Sequence, residues 1–258
     1  MGVAIVTGAA RGIGAAVADA LYAAGHNIVV VDRCFDDPRI DYALGTEAQL
    51  QEVAERCNAA MVIGDVVDAS TSQEAVSIAI DRFGGVDIAV AAAGVMAGTV
   101  AAWNVSDEAW QVLFDTNVTG TLQLARVVIP AMLDRDRPRH GRFIGMSSAI
   151  ALKATPNLAA YAASKAAVLS FVRSMAADLA DTGITANVVQ PGSTDTTLLE
   201  RSALVYGLPD VADFSQHHLS QRLIEPGEVA AAMAWLCSPA AGAITGTVIP
   251  VDGGMAAR

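Results

Sequence analysis

Short apolar runs recur along the chain at Val3-Thr7, Ile28-Val31, Met61-Ile63, Ile88-Val90, Phe143-Met146, Thr185-Val189 and Val248-Val251, with stretches of helical spacing between most of them. These runs are apolar at successive positions rather than alternate ones, the pattern of strands covered on both faces. Strand alternating with helix gives a parallel sheet, so the expected class is α/β: a doubly wound parallel sheet of about seven strands with helices on both faces. No low-complexity linker, charge block or repeat divides residues 1-258, which read as a single domain. The longest uncharged stretch, Val229 to Val251, is long enough to span a bilayer, but Ser238-Pro239, Gly242, Gly246 and Pro250 interrupt it. It reads as a helix, a turn and a strand.

Composition changes this picture mainly by exclusion. The chain has 258 residues, 53% hydrophobic and 17% charged, enough apolar surface for a core and too little charge for disorder. Alanine is abundant and aromatics are few, which favours close approach of helices to the sheet. The net charge of -11 argues against nucleic acid or an anionic membrane as partner. Cys34, Cys57 and Cys237 are odd in number and form no C-x-x-C pair, so neither a disulfide framework nor zinc is expected, and a reducing cytoplasmic setting fits. His217-His218 has no acidic or Cys partner at ligand spacing; it reads as a solvent-facing pair, and no metal is expected.

The first strand runs into Thr7-Gly8-Ala9-Ala10-Arg11-Gly12-Ile13-Gly14 and then a helix over Ala15-Ala24. In such a turn Gly8 permits the sharp exit from the strand, Gly12 lets backbone approach a pyrophosphate and Gly14 lets helix and strand touch, with helix N–H groups facing the phosphates. Arg11 and Ile13 share that turn. Asp32 closes the second strand, where a carboxylate accepts hydrogen bonds from an adenosine ribose and repels a 2′-phosphate, selecting NAD over NADP. Arg11 and Arg33 lie close enough in sequence to counter that preference. Asp65-Val66, after the third strand, is placed either to meet the adenine or to cap a helix. Between strands two and three, Arg33-Gly45 has no clear period, reading either as a surface loop or as a segment beside the cofactor. Thr46 and Gln49 then make a capping box for a helix with an apolar stripe of Leu50, Val53, Ala54 and Cys57.

Tyr161 and Lys165 are four apart on a helical stretch and so share a face. Ser148 follows the strand Phe143-Met146, and Asn117 sits in a long helix starting near Ser106. Together with Thr7-Gly8-x-x-x-Gly12-x-Gly14 and Pro191-Gly192, these residues resemble the short-chain dehydrogenase/reductase family over the whole chain. That resemblance implies a Rossmann-type sheet in which Tyr161 is general base, Lys165 binds the nicotinamide ribose and lowers the tyrosine pKa, Ser148 hydrogen-bonds the substrate oxygen and Asn117 holds a proton-relaying water. A phenol starts near pKa 10, and bringing it about three units down takes roughly 4 kcal/mol, within reach of a neighbouring ammonium and a cationic nicotinamide. The family's Asn-Asn-Ala-Gly is here Ala91-Ala92-Ala93-Gly94, which keeps backbone contacts to the cofactor and loses the asparagine side chains. Pro191, Gly192, Thr194 and Thr196 are expected around the nicotinamide carboxamide and phosphate.

The run Asp32-Arg33-Cys34, the insert with Asp37-Pro38 and Tyr42-Ala43-Leu44, and the ending Trp235 to Pro239 through Val251-Asp252-Gly253-Gly254 resemble the mycofactocin-coupled, carveol dehydrogenase-like subfamily. This implies an actinobacterial alcohol dehydrogenase whose NAD stays bound and is reoxidised in place by the redox carrier mycofactocin, and the wider family implies a homotetramer. Val95, Met96, Ile150, Leu152 and the segment Leu198-Phe214 with Leu199, Leu204, Val205, Tyr206 and Leu208 are candidates for an apolar substrate pocket, or else ordinary core. A hydrophobic secondary alcohol or its ketone suits such a pocket. Two alternatives stand beside this reading: an ordinary dehydrogenase of a cyclic alcohol or dihydrodiol using exchangeable NAD, and a catalytically silent nucleotide-sensing scaffold.

Overall fold

Seven strands form one parallel sheet in the computed structural model of the protein, which describes residues 2–257. They are β1 (Val3–Thr7), β2 (Asn27–Asp32), β3 (Ala60–Ile63), β4 (Ile88–Ala91), β5 (Arg142–Met146), β6 (Thr185–Pro191) and β7 (Val248–Val251), in the order β3-β2-β1-β4-β5-β6-β7. Each predicted apolar run lies within one of them. β1, β4 and β6 are buried at every residue, which is why their sequences show no alternation. The cores on the two faces are separate. Helices α1 (Gly12–Ala23), α2 (Glu47–Arg56) and α8 (Pro226–Cys237) pack in one apolar cluster. Helices α3 (Ala69–Phe83), α5 (Gly120–Leu133) and α6 (Ala159–Asp178) pack in the other.

From β1 the chain winds outward to β3, then returns to place β4 on the other side of β1. That reversal opens a crevice at the carboxyl ends of β1 and β4, the place where open α/β sheets bind ligands. Local chemistry fixes the entries to it. Gly14 is obligatory: a Cβ there would lie 2.0 Å from the carbonyl oxygen of Gly8, so only glycine lets α1 start against the β1 turn. The Thr46–Gln49 capping box forms as expected, with hydrogen bonds of 3.3 and 3.0 Å.

The pattern from Ser106 onward predicts one unbroken helix, and the structure differs. Ser106 caps α4 (Asp107–Leu113), but the chain then passes through a π turn at Phe114–Thr119 before α5. Asn117 sits in that turn, its side chain turned to Val95 in the loop after β4.

Residues 33–45 are packed down rather than loose. Ile40 and Leu44 are buried in a cluster with Val95, Val112 and Tyr42. Asp37, 3% exposed, accepts hydrogen bonds from Arg39 and Arg33, and Arg39 continues to Asp115 at 3.1 Å. The Arg39 guanidinium above all holds the Asp37 carboxyl well below the usual carboxylate range. Residues 229–251 resolve into most of α8, a 3-10 turn at Pro239–Ala241 and β7, and no helix among the described residues is long and apolar enough to cross a membrane. Helix α7 (Thr197–Tyr206) stands apart from both faces of the sheet, over the carboxyl ends of the strands.

Candidate active site

Two cavities meet at the carboxyl edge of the sheet. The first is lined by Gly8, Arg11, Gly12, Ile13 and Gly14 from the β1–α1 turn, Asp32 and Arg33 from the end of β2, and Asp65 and Val66 beyond β3. Ala93, Gly94 and Thr196 line it at the far end. The second, of about 430 Å³, is lined by Ser148, Tyr161, Lys165, Met96, Ile150, Leu198 and Tyr206, with Pro191, Gly192 and Thr194 on its floor. Ile13, Gly94, Met146, Thr196 and Leu198 belong to both, so one elongated ligand in the first cavity reaches the groups of the second.

Most of the expected residues therefore converge, and the exceptions have local reasons. Ala91 is the last residue of β4, paired with Thr7 and Gly145 inside the sheet; Ala92 lines the cleft in its place. Pro191, Gly192 and Thr194 face the second cavity rather than the first. Leu152 and Leu204 are 68% and 72% exposed and line neither cavity, nor does Val205, while Val95 lines the first. His218 is not solvent-facing: it is 0% exposed, its Nε2 accepting the Ser193 N–H at 3.1 Å and its Nδ1 facing the Arg222 carbonyl at 2.5 Å. A neutral imidazole donating from Nδ1 satisfies both, so this histidine staples the end of β6 to the following loop. Its neighbour His217 lines the substrate-sized cavity.

Asp32 and the two arginines near it have distinct jobs. The Asp32 carboxylate accepts the Ala10 N–H at 3.0 Å and faces the cleft. Arg33 is committed to Asp37 at 3.1 Å and Asp65 at 3.4 Å, and Arg11 donates to the Ala43 carbonyl at 2.7 Å. The cations that sequence alone leaves free to welcome a 2′-phosphate are thus engaged by the protein itself. Asp65 accepts from Val67 N–H and pairs with Arg33; it makes no cap hydrogen bond for α3.

At the junction, Tyr161 and Lys165 point from α6 toward the end of β5. Ser148 follows that strand, its Oγ accepting the Ile150 N–H at 3.3 Å and hydrogen-bonding the Tyr161 phenol. Burial pushes the phenol up to about 12, with the Ser148 hydrogen bond pulling the other way. Burial also pushes the Lys165 ammonium down to about 8. Its Nζ donates to the Met146 carbonyl at 3.2 Å and lies 5.8 Å from the Tyr161 ring centroid. Gly94 makes room for this arrangement, since a Cβ there would stand 2.9 Å from Lys165 Nζ and 3.2 Å from Asn117 Oδ1. The Asn117 amide is itself heavily engaged: Oδ1 accepts Val95 N–H at 2.9 Å, and Nδ2 donates to the Val95 carbonyl and to Ser164 Oγ. It fixes the turn after β4, and a water held by this side chain must donate to it.

Of the two readings of Arg33-Gly45, the segment beside the cofactor matches Tyr42, Leu44 and Gly45 in the first cavity, whereas Leu158, Gln216 and Met255 in the second were not expected. The lack of period in residues 33–45 was the available signal for the former, because an aperiodic segment carrying Ile, Tyr and Leu has apolar side chains to bury.

Known proteins resemble this chain over almost all of its length. A family model described as Enoyl-(Acyl carrier protein) reductase matches residues 8–256. An uncharacterized NAD-dependent oxidoreductase of Mycobacterium tuberculosis is 33% identical, covering 98% of this chain and 94% of its own. The 3beta-hydroxysteroid dehydrogenase 1 of Eggerthella lenta is 34% identical over 97% of this chain and 92% of its own. The crystal structure of carveol dehydrogenase from Mycobacterium avium in complex with NAD superposes with a TM-score of 0.94 at 28% identity, covering 100% of this chain and 98% of that one.

Proposed function

The chain belongs to the short-chain dehydrogenase/reductase family, and on that premise we propose that it is an NAD-dependent dehydrogenase of an apolar secondary alcohol, or reductase of the matching ketone, with Tyr161 as general base. The observation that carries this reading is the meeting, at Ile13, Gly94, Met146, Thr196 and Leu198, of the glycine-lined cavity that holds Asp32 with the mainly apolar cavity lined by Tyr161, Ser148 and Lys165. The residues fit NAD: the Asp32 carboxylate suits the adenosine ribose, the first N–H groups of α1 suit the pyrophosphate, and Lys165 suits the second ribose. When bound, oxidised nicotinamide supplies the hydride acceptor and a positive charge. Ser148 orients the alcohol oxygen, Tyr161 takes its proton, Lys165 favours the phenolate, and Asn117 holds the Val95 turn and receives a relaying water.

Asp32 sets the cofactor choice. Asp32→Asn keeps an acceptor for Ala10 N–H and removes the charge, so the ratio of kcat/KM with NADP to that with NAD is expected to rise by on the order of 10- to 100-fold, the size of one charge pair partly screened by solvent and salt. An unchanged ratio in steady-state kinetics would show that another group decides it.

The finer reading is that NAD stays bound and is reoxidised in place by mycofactocin, in a cytoplasmic homotetramer. What supports a retained NAD is residues 33–45, whose Tyr42, Leu44 and Gly45 line the first cavity while Ile40 and Leu44 are anchored in the core. Protein purified without added nucleotide is expected to carry NAD(H) visible by absorbance, and to turn over cyclic terpene or steroid alcohols with an artificial electron acceptor. Replacing residues 34–44 by a tight turn should then speed NAD release by about tenfold or more, as for loss of an ordered cover. Turnover with free NAD alone and an unchanged off-rate would instead make the cofactor an exchangeable one.

A further inference from the structure

Two pairs of neighbouring residues, Asp41-Tyr42 in the segment over the dinucleotide cavity and Arg201-Ser202 in α7 over the substrate cavity, are joined to each other and to one third residue. Arg201 grips Asp41 through both guanidinium arms, its Nε at 2.9 Å from Oδ1 and its Nη2 on Oδ2. Tyr42 Oη accepts the Met96 N–H at 2.9 Å. Ser202 Oγ donates to the Leu198 carbonyl at 3.1 Å within its own helix and rests against Met96 Sδ at 3.6 Å. Three segments far apart in sequence thus close a ring of contacts, with Met96 as its node, and Met96 is 4% exposed against Tyr161 in the same apolar cluster.

The placement of each end gives the ring a purpose. Tyr42 and Leu44 line the first cavity; Met96, Ser202 and Tyr206 line the second; Leu198, in the same helix as Arg201, lines both. Tyr206 Oη donates to the Pro156 carbonyl at 2.6 Å, so the far end of α7 is also tied across the mouth of the second cavity. Arg201 is drawn to Asp41 rather than to any other carboxylate, and that pairing holds the Asp41 carboxyl below its ordinary value. A bidentate guanidinium–carboxylate pair adds geometry as well as charge.

Resting on the dehydrogenase reading above, we propose that Asp41, Tyr42, Arg201 and Ser202 latch the cofactor cover to the substrate lid through Met96, so that the two open as one unit and bound dinucleotide leaves only when the lid lifts. Tyr42 and Arg201 are then positioning residues, acting through Met96 and α7. An alcohol that packs under α7 and against Met96 would hold the cover shut as well, so substrate slows dinucleotide release.

The test uses protein preloaded with NADH and chased with excess NAD, following nucleotide fluorescence, for wild type, Asp41→Asn, Arg201→Gln, the double variant and Tyr42→Phe. Each single change at the ion pair should speed release by about three- to fivefold, the range of one partly exposed pair. The double variant should be no faster than either single, because the two residues share one contact. Tyr42→Phe, which leaves a buried N–H without its acceptor, should speed release by about tenfold. Exchange of the Met96 backbone amide, read by NMR without any nucleotide, should accelerate in Arg201→Gln although Arg201 does not touch that amide. Release rates unchanged by these substitutions, single effects that multiply in the double variant, or a Met96 amide indifferent to Arg201→Gln would each overturn the latch. Failure of the protein to take up NADH would defeat the dehydrogenase reading instead, and the amide measurement still decides whether the ring couples the two segments.

Discussion

Tyr161→Phe is expected to reduce alcohol oxidation by about 10³-fold while NAD affinity changes by no more than about twofold, as for removal of one positioned general base. Tyr161 lines the second cavity with its phenol hydrogen-bonded to Ser148, so a substrate hydroxyl placed there has an acceptor for its proton. The phenyl ring that remains still packs with Met96, Leu113, Leu158 and Ala160, which limits the structural effect. Stability should fall by about 1 kcal/mol for the lost hydrogen bond, too little to unfold the protein. Single-turnover kinetics and nucleotide titration on the same sample separate the two readouts. Oxidation that survives in Tyr161→Phe would move the base elsewhere. Absence of oxidation in the wild type, with NAD bound equally by both proteins, would favour the nucleotide-sensing scaffold.

The sheet was legible because burial on both faces leaves an unbroken apolar run, and the seven runs from Val3-Thr7 to Val248-Val251 each fall inside a strand. The glycine turn was legible for a steric reason: at Gly14 no side chain fits beside the Gly8 carbonyl. The π turn was not, because the apolar spacing of Val112, Leu124 and Val128 continues on either side of it and a change of hydrogen-bond ring leaves no mark on hydropathy. His218 was misread as exposed for a related reason. Polar residues are assigned to the surface by default, yet backbone partners on Ser193 and Arg222 let an imidazole be buried without penalty. Residues 33–45 were left with two readings because their contacts are with Val95, Met96 and Arg201, all far away in the chain, and an aperiodic segment shows which side chains are apolar but not what they meet. The catalytic candidates were visible as a constellation of residue types, whereas the state in which the chain holds them was not. Lys165 and the nicotinamide charge together are expected to bring the phenol down, against a burial that pushes it up to about 12.

That balance makes Lys165→Met the second informative change, with opposite effects on stability and on rate. The folded protein lowers the Lys165 ammonium from its ordinary value to about 8 through burial, so between that pH and about 10.5 the unfolded chain binds more protons than the folded one. Folding is therefore penalised by this lysine below pH 8, and the penalty fades as pH rises to the unfolded value. Methionine fills similar volume without a charge, so the variant should melt a few degrees higher than wild type at pH 7, with the difference closing toward pH 10.5. Activity should move the other way. The ammonium stands 5.8 Å from the Tyr161 ring centroid, where a unit charge at an effective dielectric near 20 is worth about 3 kcal/mol to a phenolate, or about two pKa units. Oxidation, which needs the phenolate, should then fall about a hundredfold near pH 8, and the rising limb of its pH–rate profile should shift about two units to the alkaline side. A slower enzyme whose profile has not moved would confine Lys165 to holding the ribose, and a variant less stable than wild type at pH 7 would mean that its hydrogen bond to the Met146 carbonyl outweighs the burial of its charge.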